Sequence, residues 1–333
     1  MKKSEFGFIG DIAAMFGALP HAGFEPIGDD CTVLPMGDEA LVMTTDMLIE
    51  DIHFLRGASS PEEVGEKSLM VNISDVAAMG AKPIATLLSI ALPEAAQGEW
   101  AERFMRGYYE ASEREGVALV GGDTTASMNG LVITITATGR AKKEDVVYRS
   151  GAKEHDLICI SSNLGAAYMG LHLLEREKRV LKGVENPEPQ FGGYEYLLER
   201  YLKPRARQNI INALAENGIR PTAMIDLSDG LASDLRQICR ASQCGARIYL
   251  ERIPIAQQTT NLAEEMHIDP VIAALNGGED HELLFTVPLD MQEKVMQLGL
   301  VDVIGHITRE ESGVILVTPD GEGIALKAQA FDR

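Results

Sequence analysis

The chain has 333 residues, 45% of them hydrophobic, with 32 glycines, 14 prolines and one tryptophan. This is the composition of a globular chain long enough for two domains. Fifty acidic residues against 30 basic ones give a net charge of −20, which argues against a general nucleic-acid binder because such a protein presents a basic face.

Taken in chain order, residues 4–18 suit a short amphipathic helix. The apolar Phe6-Gly7-Phe8-Ile9 after Met1-Lys2-Lys3 is interrupted by Glu5 and Asp11, so no signal peptide is expected. Residues 41–45 read as a strand ending at Asp46. Residues 62–79 suit a helix with Val64, Leu69, Val71, Ile73, Val76 and Met79 on its apolar face, closed by Gly80. Asp75 lies within that helix and points to its packed side, where a lone carboxylate needs a partner. Residues 84–92, between Pro83 and Pro93, form the longest strongly apolar run. It is a strand, far short of the about 20 residues that cross a membrane. A helix over 98–115, a buried strand over 117–120 and an alternating strand over 131–139 complete the first half. The hydrophilic Lys142-Lys143-Glu144-Asp145 precedes a boundary near residue 150, dividing the chain into 1–150 and 151–333.

The second half opens with a strand over 157–161, then a helix from Gly165 to about Lys178. A Gly/Pro-rich loop is expected over 183–193, followed by helices over 193–202 and 205–217. Next come a strand to Asp226, a helix from Asp229 to about Ala241, and strands over 246–250, 282–287, 301–307 and 314–317. The order predicts an α/β (α+β) fold in layered domains. The four cysteines, Cys31, Cys159, Cys239 and Cys244, lack C-x-x-C spacing and read as thiols of a reducing compartment, so a cytoplasmic protein is expected.

Six acid-rich knots stand out: Gly28-Asp29-Asp30, Thr44-Thr45-Asp46, Asn72-Ile73-Ser74-Asp75, Gly121-Gly122-Asp123-Thr124-Thr125, Asp226-Leu227-Ser228-Asp229-Gly230 and Gly277-Gly278-Glu279-Asp280. Two carboxylates about 4 Å apart repel by roughly 4 kcal/mol at an effective dielectric of 20. A chain that sets several of them at the ends of buried elements has cations to hold, and hard oxygen ligands suit magnesium bridged to phosphates. Taken singly the knots are ambiguous. Ser228 or Asp229 could simply cap the following helix, Gly121–Thr125 could be a plain turn, and Asp29-Asp30 an Asx-turn. Together they point to a polymetal phosphate site. The chain has no P-loop, no G-x-S-x-G elbow, no H-E-x-x-H and no G-x-G-x-x-G.

The knots, in this order, resemble those of the thiamine-monophosphate kinase family. Longer stretches carry the resemblance: Asn72 through Pro83, Asp226 through Leu231 and Gly277 through Leu283. Membership of the aminoimidazole ribonucleotide synthetase-like superfamily implies two domains, the first pairing with its dimer mate into an inter-subunit β-barrel. The implied reaction is ATP plus thiamine monophosphate giving ADP and thiamine diphosphate, with several Mg2+ ions. By motif position, Asp30, Thr45, Asp46, Asp75, Asp123, Asp226 and Asp229 would be metal ligands. Gly122, Asp123, Arg149, Ser228 and Tyr109 would contact ATP, and His53, Glu279 and Phe331 the thiamine phosphate. The resemblance implies a homodimer, while the acidic charge predicts no nucleic-acid partner and the short apolar runs no membrane partner. The nearest alternative is another ATP-using enzyme of the superfamily, such as a selenophosphate synthetase. That one is disfavoured because the first cysteine, Cys31, lies inside an Asp knot rather than in a Gly-rich stretch.

Overall fold

The computed structural model describes residues 5–180 and 191–328. The first unit contains α1 (Glu5–Phe16), β1 (Thr32–Met36), β2 (Glu39–Ile49), α2 (Pro61–Ala78), β3 (Lys82–Leu92), α3 (Glu99–Glu115), β4 (Ala118–Ala126) and β5 (Val132–Lys142). Its five strands form one open sheet in the order β1-β2-β5-β3-β4, with edges at β1 and β4. All neighbours are antiparallel except β3 and β4, whose parallel pairing requires the α3 crossover between them.

Only one face of this sheet is covered among the described residues. Along β2, Ala40, Val42 and Leu48 are buried while Thr45 and Met47 are exposed, the period-2 signature of a sheet with one packed face. The packed face lies against α2. A complete capping box starts that helix. The Ser60 hydroxyl accepts from the Glu63 amide at 3.2 Å, the Ser60 amide donates to Glu63 Oε2 at 2.9 Å, and Pro61 occupies the first turn. Gly80, at φ +67°, closes it as the sequence predicts. α2 and α3 cross at backbone contact, because a Cβ on Gly65 would lie 2.2 Å from Phe104 O and one on Gly107 2.1 Å from Glu62 O.

The second unit contains β6 (Leu157–Ile160), α4 (Ala166–Val180), α5 (Glu195–Leu202), α6 (Gln208–Glu216), β7 (Ala223–Asp226), α7 (Leu231–Ser242), β8 (Cys244–Tyr249), α8 (Gln257–Glu265), α9 (Pro270–Asn276), β9 (Leu283–Val287), α10 (Gln292–Leu298), β10 (Asp302–Arg309), β11 (Val314–Val317) and β12 (Gly323–Ala325). Its seven-stranded sheet has the order β12-β11-β8-β10-β6-β9-β7. Every residue of β6, β7 and β9 is buried, so both faces are packed. Ile158, Ile160, Ala223, Ile225 and Leu284 join α7 and α9 on one side. Leu157, Cys159, Met224, Leu283, Phe285 and Val287 join α6 and α10 on the other. The second of these cores also takes in Ala78 and Val147, so the end of α2 is shared between the two units.

Two expectations change. The segment read as a buried strand over 117–120 followed by a Gly-Gly-Asp turn is a single strand, β4, running to Ala126 and exposed along its whole length. It is the sheet edge, with no covering layer, so apolar content alone was misleading there. The helix expected from Asp229 begins at Leu231, with Gly230 in the capping position. Residues 181–190 of the predicted 183–193 loop lie outside the described residues.

Candidate active site

Three carboxylates meet where the two units join. Asp30 precedes β1, Asp75 comes from the last turns of α2, and Asp226 is the final residue of β7. Each offers an oxygen, and the three oxygens lie within 4.8 Å of one another. The local sequence explains the meeting. Thr44, Asp46 and the buried even-numbered residues of β2 face α2. The Thr44 hydroxyl donates to Asp75 Oδ2 at 2.6 Å, and the Asp46 amide donates to Asn72 Oδ1 at 3.1 Å. One residue before Asp75, the Ser74 hydroxyl donates to Asp226 Oδ2 at 2.7 Å. That bond, buried and 152 positions apart in sequence, ties α2 to β7.

The electrostatics are those of a site short of cation. Burial pushes Asp30 up to about 7, with the Asp226 charge adding to the rise and Arg149 opposing it. Burial likewise raises Asp29 and Asp46 to about 6. Asp75 is held well above the usual carboxylate range by burial and by Asp226, Asp46 and Asp30 around it. Arg149 supplies part of the missing charge. Its Nε donates to Asp30 Oδ1 at 3.1 Å, its Nη2 reaches the same oxygen, and its amide bonds Asp29 at 3.2 Å. Asp30 Oδ2 is buried and has no hydrogen-bond partner. The donor set is all hard oxygen and partly deprotonated at neutral pH, with one oxygen orphaned, and it fits magnesium.

The strand end and helix start around Asp226 carry the next layer. Gly278 runs beside Ser228, where a Cβ would meet Ser228 O at 2.5 Å. The Glu279 and His281 amides donate to Ser228 O and Leu227 O at 2.8 and 2.9 Å. Glu279 and His281 both hold positive φ, +62° and +48°, a costly conformation for these residue types that neighbouring bonds must enforce. His281 Nδ1 lies 3.3 Å from Asp226 Oδ2. Gly230, rather than Ser228 or Asp229, occupies the capping position of α7. Asp234, inside the helix, accepts the Asp229 and Gly230 amides at 3.2 and 3.1 Å, which leaves the Ser228 and Asp229 side chains exposed. Asp280 is also structural, accepting the Gly165 and Ala167 amides at the start of α4 at 2.7 and 3.3 Å.

The other sequence candidates are spread more widely. Thr45 sits on the face of β2 opposite Thr44 and Asp46, and its hydroxyl donates to Ile135 O at 3.1 Å. Gly122 and Asp123 lie on the exposed edge strand β4, and Tyr109 is 62% exposed on α3. His53 Nδ1 accepts the Ile49 amide at 3.0 Å, so its proton sits on Nε2. Phe331 lies outside the described residues. Sequence reasoning missed Thr44, Asn72, Ser74, Asp234, His281 and Lys67 as parts of the site. For Lys67 a signal existed: with Val71, Ser74 and Asp75 it shares one helical face at spacings of four, seven and eight.

The family profile for AIR synthase related protein, N-terminal domain, matches residues 28–141, and that for the C-terminal domain matches residues 153–320. The chain is 36% identical over 314 residues to the thiamine-monophosphate kinase of Buchnera aphidicola subsp. Schizaphis graminum, covering 92% of this chain and 91% of that one. It is 35% identical over 316 residues to the thiamine-monophosphate kinase of Escherichia coli K12, with the same coverage. The solved structure of AaThiL complexed with AMPPCP and TMP superposes with a TM-score of 0.82 at 31% identity, covering 97% of this chain and 96% of that one. With its two-unit fold and its ordered acid knots, this chain belongs to the thiamine-monophosphate kinase family of AIR synthase related proteins.

Proposed function

We propose that this kinase transfers the γ-phosphoryl group of ATP to the phosphate of thiamine monophosphate, forming ADP and thiamine diphosphate. The observation that carries the reading is the three-carboxylate cluster of Asp30, Asp75 and Asp226 at the junction of the two units. It is supported by the likeness to a structure holding AMPPCP, an ATP analogue, together with TMP. An oxygen of the acceptor phosphate attacks Pγ, the bond from Pγ to the β,γ-bridging oxygen breaks, and ADP leaves with the electron pair. The acceptor is a phosphate monoester, already largely dianionic near neutral pH, so no strong general base is needed. The chain's task is to hold two anions in line against their repulsion and to exclude water.

Asp30, Asp75 and Asp226 would hold magnesium, with Asp46, Asp123, Asp229 and Thr45 as further candidate ligands. When bound, magnesium supplies charge neutralisation for both phosphates. On the nucleotide side we assign Ser228, whose exposed hydroxyl follows the cluster, together with Gly122, Asp123, Tyr109 and Arg149. On the thiamine side we assign His53, through its Nε2 proton, with Glu279 and Phe331. In this reading residues 1–150 carry most metal ligands, and residues 151–333 bring Asp226, Asp229, Ser228 and Glu279 against them.

We further propose a homodimer in which the first sheets of two copies pair. The open edge at β4 and the apolar exposure of Leu87, Leu119 and Val120 support it. Cys31, Cys159, Cys239 and Cys244 are all free, in keeping with a cytoplasmic enzyme. The test is a coupled assay of purified protein with ATP, magnesium and thiamine monophosphate. Thiamine diphosphate should form in step with ADP, and ADP without it would overturn the reading.

A further inference from the structure

Lys67 is an anomaly in the first core. It lies on α2 and is 2% exposed, where a lysine is rarely found without a partner. Its partners come from three separate parts of the chain. The ammonium lies 2.8 Å from Glu279 Oε2 and donates to His53 O at 3.1 Å. It also sits 3.8 Å from the centroid of the Tyr201 ring on α5, and the Tyr201 hydroxyl donates to the same His53 carbonyl at 3.1 Å. The position is energetically poor for stability alone, because an apolar residue of similar volume generally serves as well as a buried ion pair. What Lys67 does specify is geometry. It fixes one oxygen of Glu279, a residue held at φ +62°, and leaves the Glu279 side chain 31% exposed. It also anchors the carbonyl of His53, whose Nδ1 is already bound by the Ile49 amide. One ammonium thus joins the side chain of Glu279 to the backbone of His53, 226 positions apart.

We infer that Lys67, seconded by Tyr201, is a positioning residue for the thiamine-phosphate subsite: it aims the free carboxylate edge of Glu279 and the ring of His53 at the cationic, amino-bearing substrate. The inference rests on the reading that Glu279 and His53 face that substrate. Burial would raise the Glu279 pKa, but Lys67 and His281 beside it hold the carboxyl below its ordinary range, so the aimed group is charged at neutral pH. Among the described residues the Lys67 ammonium is held by Glu279, His53 and Tyr201 and not by the carboxylate cluster, so its loss falls first on the thiamine side.

The experiment compares Lys67→Met, Glu279→Gln, Tyr201→Phe and the Lys67→Met/Glu279→Gln pair by steady-state kinetics, with melting temperatures recorded. Lys67→Met raises the KM for thiamine monophosphate roughly tenfold or more, the scale of a charge-assisted hydrogen bond, while the KM for ATP stays within twofold. The double variant adds little to either single one, as residues acting through one contact do. Tyr201→Phe keeps the ring beneath the ammonium and gives a smaller rise of the same kind, so a folding failure of Lys67→Met leaves the inference testable. Equal rises in both KM values, a change in kcat alone, or fully additive effects overturn it. An unchanged KM for thiamine monophosphate in Glu279→Gln, by contrast, sinks the substrate role of Glu279 itself. If that variant responds while Lys67→Met and Tyr201→Phe do not, the inference about Lys67 alone is wrong.

Discussion

Asp75 and Asp226 have opposite consequences for stability and for turnover. Asp226 is buried and Asp75 half-buried, each beside other carboxylates, and among the described residues their mutual repulsion is met by Arg149, His281 and the hydroxyls of Thr44 and Ser74. Replacing either with asparagine removes one charge and keeps the shape. Asp75→Asn and Asp226→Asn are therefore expected to lose most turnover, a hundredfold or more on the usual scale for electrostatic groups at a transferring phosphoryl. Their metal-free melting temperatures should stay equal to or above that of the parent. Near-normal activity at limiting magnesium would contradict a shared-metal site. The same cluster fixes a pH dependence. Asp30 near 7 and Asp29 and Asp46 near 6 lie above the unfolded value of about 4. The folded state thus binds these protons more tightly, and the stability they confer is present at low pH and lost as pH rises from about 4 through 7. Magnesium competes with those protons, so the melting-temperature gain it gives should be larger at about pH 8 than at about pH 6. Asp30→Asn should flatten that difference, and scanning calorimetry of both proteins checks it. Much of this site was legible in the sequence, because Asp-Asp, Ser-Asp and Asp-x-x-Asp flanked by Gly and apolar residues cannot all be surface charge. Thr44 escapes a motif reading, because only the alternation along β2 decides which of Thr44 and Thr45 shares the face of Asp46.

At the scale of elements, α2 decides how well the cluster is held, because it carries Asn72, Ser74 and Asp75 and packs on both units. Its boundaries were legible. A Ser-Pro-Glu-Glu start and a Met-Gly stop are strong local signals, and the expected 62–79 lies within one residue of Pro61–Ala78. Other elements were not. β1 contains Pro35, which reads against a strand but is tolerated at a sheet edge. α8 spends Thr259, Thr260 and Asn261 in a helix whose propensity is poor, and its apolar Leu262 and Ala263 pack into a cluster that only tertiary contact creates. In β4 the register slips between Leu119 and Gly121, so that Val120 is the extra residue of a bulge, and a Gly-Gly-Asp turn was the natural misreading. The close crossing of α2 and α3 yields a prediction specific to these helices. Gly107→Ala puts a methyl group 2.1 Å from Glu62 O, and overpacking at a backbone contact costs about 1–3 kcal/mol. The variant should melt several degrees lower and lose magnesium affinity through displacement of α2. A melting temperature equal to that of the parent would show that the helices can separate without strain.

At the scale of the whole molecule, the first sheet is unfinished. One face packs α2 and α3, while the other presents Met47 and Leu87, and the β4 edge adds Leu119 and Val120, the latter at 64% exposure. Edge strands in monomers are ordinarily protected by charge, proline or a covering segment. β4, with the sequence Ala-Leu-Val-Gly-Gly-Asp-Thr-Thr-Ala, has one acid in nine residues and no proline. Gly122 and Asp123 lie on that same strand, so a partner strand laid against β4 would sit beside residues assigned to the nucleotide. Assembly and activity should therefore fail together. Leu119→Lys with Val120→Lys, two like charges on an edge, should convert a particle of about twice 36.1 kDa into a monomer by light scattering. It should also depress turnover far more than the melting temperature of the second unit. A parent protein that is monomeric at assay concentration, or a monomeric variant with full activity, would separate the two properties. The sheet face would then need some other cover, and the nucleotide end of the site would be complete within one chain.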